Sequence, residues 1–208
     1  MDSSGLPPEM RNLVAELAAL PGIGEKNAVR LAFHIVFKAS ADRARRLSGA
    51  IAAAREAVSV CETCFHFSSA GGCAICGDGR RDQSIVCVVE QPLDLIAIEK
   101  SGGYRGVYHV LHGFISPIDG VGPEHLKLRE LIKRLQTDRG ITEVILAMSS
   151  RVESVATAGF IAEILKKRMD RTGLKKISRL SHGVPSGSDI EHLDQVTLKN
   201  AIADRRDF

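Results

Sequence analysis

Four cysteines carry the most specific chemistry in this chain. Cys61-Glu62-Thr63-Cys64 and Cys73-Ala74-Ile75-Cys76 form two CxxC pairs with eight residues between them, a spacing that lets four thiolates close a tetrahedron around one Zn²⁺. From Val60 to Arg81 the chain is poor in large apolar residues and rich in Cys, Gly and Ser. Packing alone cannot hold such a segment, so a bound metal would supply its folding free energy. Four sulfurs leave no open coordination position for a water, which makes the site structural and disfavours a zinc enzyme. A redox CxxC or four unrelated buried thiols are the competing readings, and two pairs in one short loop fit metal better. His66 could replace a cysteine as a ligand, but with four sulfurs available it is expected at the surface, and Cys87, within Ile85-Val86-Cys87-Val88-Val89, as a buried core thiol.

A second group of residues could bind phosphate. Leu20-Pro21-Gly22-Ile23-Gly24-Glu25-Lys26 has the form of a helix-hairpin-helix turn, in which Gly22 and Gly24 let the backbone approach a phosphate and the next helix presents free N–H groups to it. Lys26 and Arg30 are four residues apart and share one face of that helix, where both can pair with the DNA backbone without reading its sequence. The same turn could be an ordinary helix connection beside a solvated basic face. Arg43, Arg45, Arg46 and Arg55 could extend a basic stripe or be a solvated face. The denser run Lys166, Lys167, Arg168, Arg171, Lys175, Lys176 and Arg179 can serve DNA or an acidic partner.

The elements that must position these groups follow from periodicity. Helical spacing predicts helices from Pro8 to Leu20, from Glu25 to Phe37, and from an N-cap at Ser40 to about Val58, the last with Leu47, Ile51, Ala54 and Val58 on one stripe. After Asp82, strands and helices alternate: Ile85 to Val89, Leu93 to Glu99, Gly106 to His112, Glu124 to Thr137, Glu143 to Met148, Val155 to Met169 and Lys176 to Ser181. That is the pattern of an α/β unit with a mainly parallel sheet. A loop, His182-Gly183-Val184-Pro185-Ser186-Gly187-Ser188, and a helix from Val196 to Arg205 close the chain. The expected organisation is multi-module α/β: helical region 1–58, four-cysteine zinc finger 59–81, α/β domain 82–180, and C-terminal loop and helix 181–208.

With 208 residues, 44% hydrophobic and 25% charged, the chain can bury a core, and disorder over most of its length is not expected. A net charge of +3 is too small to argue for nucleic acid, so the placement of charge has to do so. The start MDSSGLPPEM lacks the basic residues and apolar run of a secretory signal, and no stretch approaches the roughly 20 apolar residues that span a bilayer. A soluble cytoplasmic protein without membrane contact is expected, and its cysteines are metal ligands or thiols rather than a disulfide framework.

Hairpin, four-cysteine segment, and an α/β unit that opens Val88-Val89-Glu90-Gln91-Pro92 and closes His182-Gly183-Val184-Pro185 together resemble the RecR family of recombination mediators from end to end. The resemblance implies that the α/β unit is a Toprim domain, the fold shared with topoisomerases, primases and small nucleases. Catalytic Toprim domains hold Mg²⁺ with a Glu after the first strand and an Asp-x-Asp after a later one. Glu90 matches the first position. Ser149 and Arg151 stand where the two aspartates would be, and a hydroxyl and a guanidinium cannot replace two hard anionic ligands. RecR proteins read like Asn-Pro-Thr-Val-Glu-Gly at this place, and Ser149, Ser150, Arg151 and Ser154 depart from that around Val152 and Glu153.

The resemblance further implies a homodimer that can close into a homotetrameric ring around DNA, the partners RecO and RecF, RecA loading at single-strand gaps, nucleoid association during repair, a closing loop that contacts a neighbouring subunit, and a partner-contact role for Glu90 and Glu153. These two acids could equally be surface or capping residues. The rival functions are a metal-dependent Toprim nuclease or primase with a degenerate acidic motif, and a zinc-ribbon protein whose hairpin serves only subunit contacts.

Overall fold

A computed structural model describes residues 5–70, 72–181, 183, 184, 187–203 and 205. The chain divides into two compact units, Met1–Val58 and Ser59–Phe208. In the first, α1 (Pro8–Ala18) opens on a proline, whose missing N–H costs nothing in a first turn, and it buries Met10 and Val14. α2 (Glu25–Phe33) answers with Ala28 and Ala32, both fully buried. Side chains this small let the two helices approach closely, and Leu13, Leu17, Ile23 and Val29 close the rim of the cluster.

The second helix differs from its expected course. α-Helical geometry stops at Phe33 and a π-helical turn follows over His34–Lys38. Its wider turn breaks the 3.6-residue phase, and Val36 and Phe37 lie exposed, Phe37 to 70%. α3 (Ala41–Ala57) starts where expected: the Ser40 hydroxyl accepts the Arg43 N–H at 3.2 Å. Its apolar stripe is nevertheless uncovered, with no buried residue and Ile51 exposed to 64%, because the core of this unit is filled by the α1–α2 pair.

In the second unit, β1 (Ser59–Val60) and β2 (Phe67–Ser68) pair antiparallel within the cysteine segment. A four-stranded sheet then forms from β3 (Asp82–Val89), β4 (Gly106–Val110), β5 (Glu143–Ala147) and β6 (Lys176–Arg179), in the order β4-β3-β5-β6 and parallel throughout. The helices α4 (Pro92–Ser101), α5 (Leu128–Thr137) and α6 (Val152–Lys166) supply the crossovers. Both faces of the central strand are covered, which is why it reads as a continuous apolar run. Val86 and Val88 face Leu131, Leu135, Ile161 and Leu165, while Cys87 and Val89 face Leu95 and Tyr108.

The expected strand to His112 ends at Val110, and His112 turns left-handed at φ 61°. The expected helix from Glu124 is a 3₁₀ turn, Pro123–His125, followed by α5. Of the closing loop, His182, Pro185 and Ser186 lie outside the described residues. α7 (Gln195–Ala203) follows and buries no residue. The architecture is mixed α/β: N-terminal helices, a four-cysteine cluster, a parallel sheet and a C-terminal helix.

Candidate functional site

The four cysteines converge as their spacing implies: one Sγ from each of Cys61, Cys64, Cys73 and Cys76 lies within 4.8 Å of the others. Cys61 and Cys76 are 3.9 Å apart and Cys64 and Cys73 3.6 Å, near the roughly 3.8 Å edge of a tetrahedron built on Zn–S bonds of about 2.3 Å. Each CxxC turn is closed by a backbone bond, Phe65 N–H to Cys61 O and Gly77 N–H to Cys73 O, both 2.9 Å. Burial pushes the Cys61 thiol up, but the N–H groups of Cys64 and Thr63 outweigh it and bring it down to about 7. Cys64 moves the other way, pushed up by the Cys76 sulfur beside it and by burial, and burial also raises Cys73. Thiols this close cannot all ionise against one another, and a cation among them removes the conflict. The residues fit a metal ion.

This segment is fastened to the sheet. His112 Nε2–H donates to Phe65 O at 2.8 Å, joining two non-glycine residues with left-handed backbone. Arg134 of α5 donates to Tyr108 O at 2.7 Å and reaches Thr63 O at 3.5 Å. The Phe65 ring meets His109 edge-on, with Lys127 above it. At the exit of the segment, Arg81 pairs with Glu99, which also accepts from Tyr108 Oη at 2.6 Å. His66, expected at the surface, is half-buried, and its Nδ1 has no partner among the described residues. Cys87 is buried, and burial pushes its thiol up to about 12.

In the first unit the hairpin turn is closed by Ile23 N–H to Leu20 O at 3.1 Å. Gly22 sits at φ 80°, a conformation that favours glycine. Gly24 is extended (φ −75°) and caps α2 without a side chain, so what it contributes is open space before the helix's first turn. Gly22, Gly24, Lys26 and Arg30 are all exposed, and among the described residues neither cation forms an ion pair. Of the basic residues elsewhere, Arg45 pairs with Asp42, Lys167 with Glu163 and Lys176 with Glu143.

At the C-terminal ends of the central strands, the register Val89↔Ala147 sets Glu90 beside the loop after β5. Glu90 is 2% exposed. Its Oε1 accepts the Ser149 N–H at 2.6 Å, and its Oε2 faces Arg151 Nη2 at 3.5 Å. Arg151 also donates from Nε to Ser149 Oγ at 3.1 Å and lies 4.9 Å over the Phe114 ring. These groups do not fit a divalent cation, since the one buried carboxylate is already bonded to a peptide N–H and a guanidinium. Glu153, in the first turn of α6, is exposed. The fold therefore places Glu90 and Glu153 in different environments. The Arg151 pairing and the Arg134 clamp have no local sequence signal, because each joins residues distant along the chain.

Comparison with known proteins agrees with this layout. Residues 10–55 match the family model described as RecR, helix-hairpin-helix, residues 84–179 the Toprim domain, and residues 183–206 RecR, C-terminal. The chain is 44% identical over 208 residues, all of both chains, to the Recombination protein RecR of Syntrophobacter fumaroxidans. It is 46% identical to that of Myxococcus xanthus, over 97% of this chain and 99% of the relative.

The chain belongs to the RecR family.

Within the RecR family matches, the hairpin model spans Gly22 to Arg30 and the Toprim model spans Glu90 to Arg151. The four cysteines fall between those two RecR and Toprim segments.

Proposed function

We propose that this chain is a non-catalytic, DNA-binding recombination mediator in DNA repair, which acts with RecO and RecF to promote RecA loading at single-strand gaps. Relatives called Recombination protein RecR, matched over nearly their full length, support the recombination role. The observation that carries the DNA contact is the open hairpin: a left-handed Gly22 turn before α2, with Lys26 and Arg30 exposed four residues apart. Two cations on one helix face can each neutralise a phosphate and release a counterion, which gives sequence-independent binding.

In this reading Cys61, Cys64, Cys73 and Cys76 hold one structural Zn²⁺. Glu153, exposed in the first turn of α6, belongs to partner contacts, while the buried Glu90 holds the loop beside it, and the chain works as a homodimer or homotetrameric ring in the cytoplasm, on the nucleoid during repair. Among the described residues, no pair of free carboxylates stands at Glu90 to hold Mg²⁺ for phosphoryl transfer, which supports binding without turnover.

The test is fluorescence anisotropy of the zinc-loaded chain with single-stranded, duplex and gapped DNA across a salt series. Lys26→Ala with Arg30→Ala is expected to weaken binding to every form and to flatten the slope of log affinity against log salt by about 1 to 2. Unchanged affinity at low salt would instead make the hairpin a subunit contact. Adding RecO to the titration tests the partner.

A further inference from the structure

A buried carboxylate needs a cation or a proton, because bare charge out of water is costly. Glu90 is such a group, 2% exposed at the end of β3, and the cation beside it is supplied by the chain itself. Arg151 is 61% exposed at its side chain, yet it is fixed from three directions: Nη2 toward Glu90 Oε2 at 3.5 Å, Nε on Ser149 Oγ at 3.1 Å, and Cζ 4.9 Å from the centre of the Phe114 ring. Ser149 is fixed in turn, its N–H on Glu90 Oε1 at 2.6 Å and its hydroxyl on Ser154 Oγ at 2.9 Å. The planar fork and weak hydration of a guanidinium suit this double role, and a lysine could not both bridge and stack.

We propose that the Arg151 guanidinium is the resident cation of this carboxylate site, holding the loop after β5 against Glu90 and closing the site to divalent metal ions. The inference rests on the non-catalytic reading above and deepens it. A divalent ion would have to displace a tethered cation, find itself beside another positive charge, and replace several missing oxygen ligands. The face at the strand ends is therefore organised at any Mg²⁺ concentration. Ser149 and Arg151 are then not merely lost acids, since together they build a metal-independent lock on Glu90.

Mn²⁺ is the probe, added to the full zinc-loaded chain and counted by electron paramagnetic resonance of the free ion. The wild type is expected to bind no Mn²⁺ that depends on Glu90. Arg151→Asp is expected to bind Mn²⁺ at least about tenfold more tightly than the wild type, and Glu90→Gln in the same chain should abolish the gain. If Arg151→Asp does not fold, as read by zinc content and circular dichroism, Arg151→Asn leaves an oxygen ligand in place and is also expected to exceed the wild type. Mn²⁺ binding by the wild type that Glu90→Gln removes would overturn the proposal, as would variants that bind no more tightly than wild type. DNA affinity of the hairpin variants is read separately, so failure of the mediator reading and failure of the arginine lock are distinguishable.

Discussion

The backbone N–H of Val110 donates to the carbonyl oxygen of Cys64 across 2.8 Å. Val110 ends β4, the edge strand of the parallel sheet, so the peptide of one of the four converging cysteines takes a place that a further strand would otherwise fill. A metal held by Cys64 would be coupled to the integrity of the sheet edge through that bond.

Stripping the metal should consequently be felt beyond the cysteine loop. Cys64→Ser, or exhaustive chelation, is expected to lower metal content from about one ion per chain and to lower Tm by roughly 5–10 °C. Amide exchange at Val110 should speed up at the same time. Mass spectrometry, differential scanning fluorimetry and hydrogen exchange check the three parts, and a Val110 amide as protected without metal as with it would refute the coupling.

Arg134 is the side-chain half of the same clamp, on Tyr108 O at 2.7 Å. Removing a charged donor from a partly buried carbonyl costs about 2 kcal/mol, so Arg134→Ala should lower the urea midpoint with an unchanged m-value. An unaltered midpoint would show that Val110 and His112 hold the segment without it.

His109 gives the stability a pH dependence of defined sign. The ring is fully buried, donates from Nε2 to Lys127 O at 2.7 Å, and leaves Nδ1 without a partner among the described residues. Burial lowers its pKa to about 4, whereas in the unfolded chain it titrates near about 6.5. The unfolded state thus binds the proton first as pH falls. The contribution of neutral His109 is complete above about pH 6.5 and is lost as pH falls toward about 4. With zinc saturating, the wild type should lose roughly 2–3 kcal/mol more than His109→Gln over that interval, as measured by urea unfolding at each pH. Parallel curves for the two proteins would contradict the assignment.

Much of this was legible in the residues because local chemistry dictates it. Four thiolates must lie near one another to share an ion, so Cys61 to Cys76 announce their geometry. Val86 to Val89 announce a strand covered on both sides, and Ser40 the start of a helix. What escaped was set by distant partners or by backbone detail. The π-turn at His34 carries no distinct pattern, and the left-handed turn at His112 is fixed by its bond to Phe65. The stripe of Leu47 and Ile51 reads as an apolar helix face, and periodicity alone does not say whether this chain covers it; here it does not. Ser149 and Arg151 could be read as missing acids, but the pairing of Arg151 with Glu90 appears only once β3 and β5 lie side by side.

The most direct test of binding without bond breaking is to incubate the full zinc-loaded chain with end-labelled DNA, and separately with template and nucleotides, in Mg²⁺ or Mn²⁺ under conditions where anisotropy shows the DNA bound. The account predicts that all label is recovered at its original length and that no primer is made. Cleavage or primer synthesis that disappears on Glu90→Ala would contradict it.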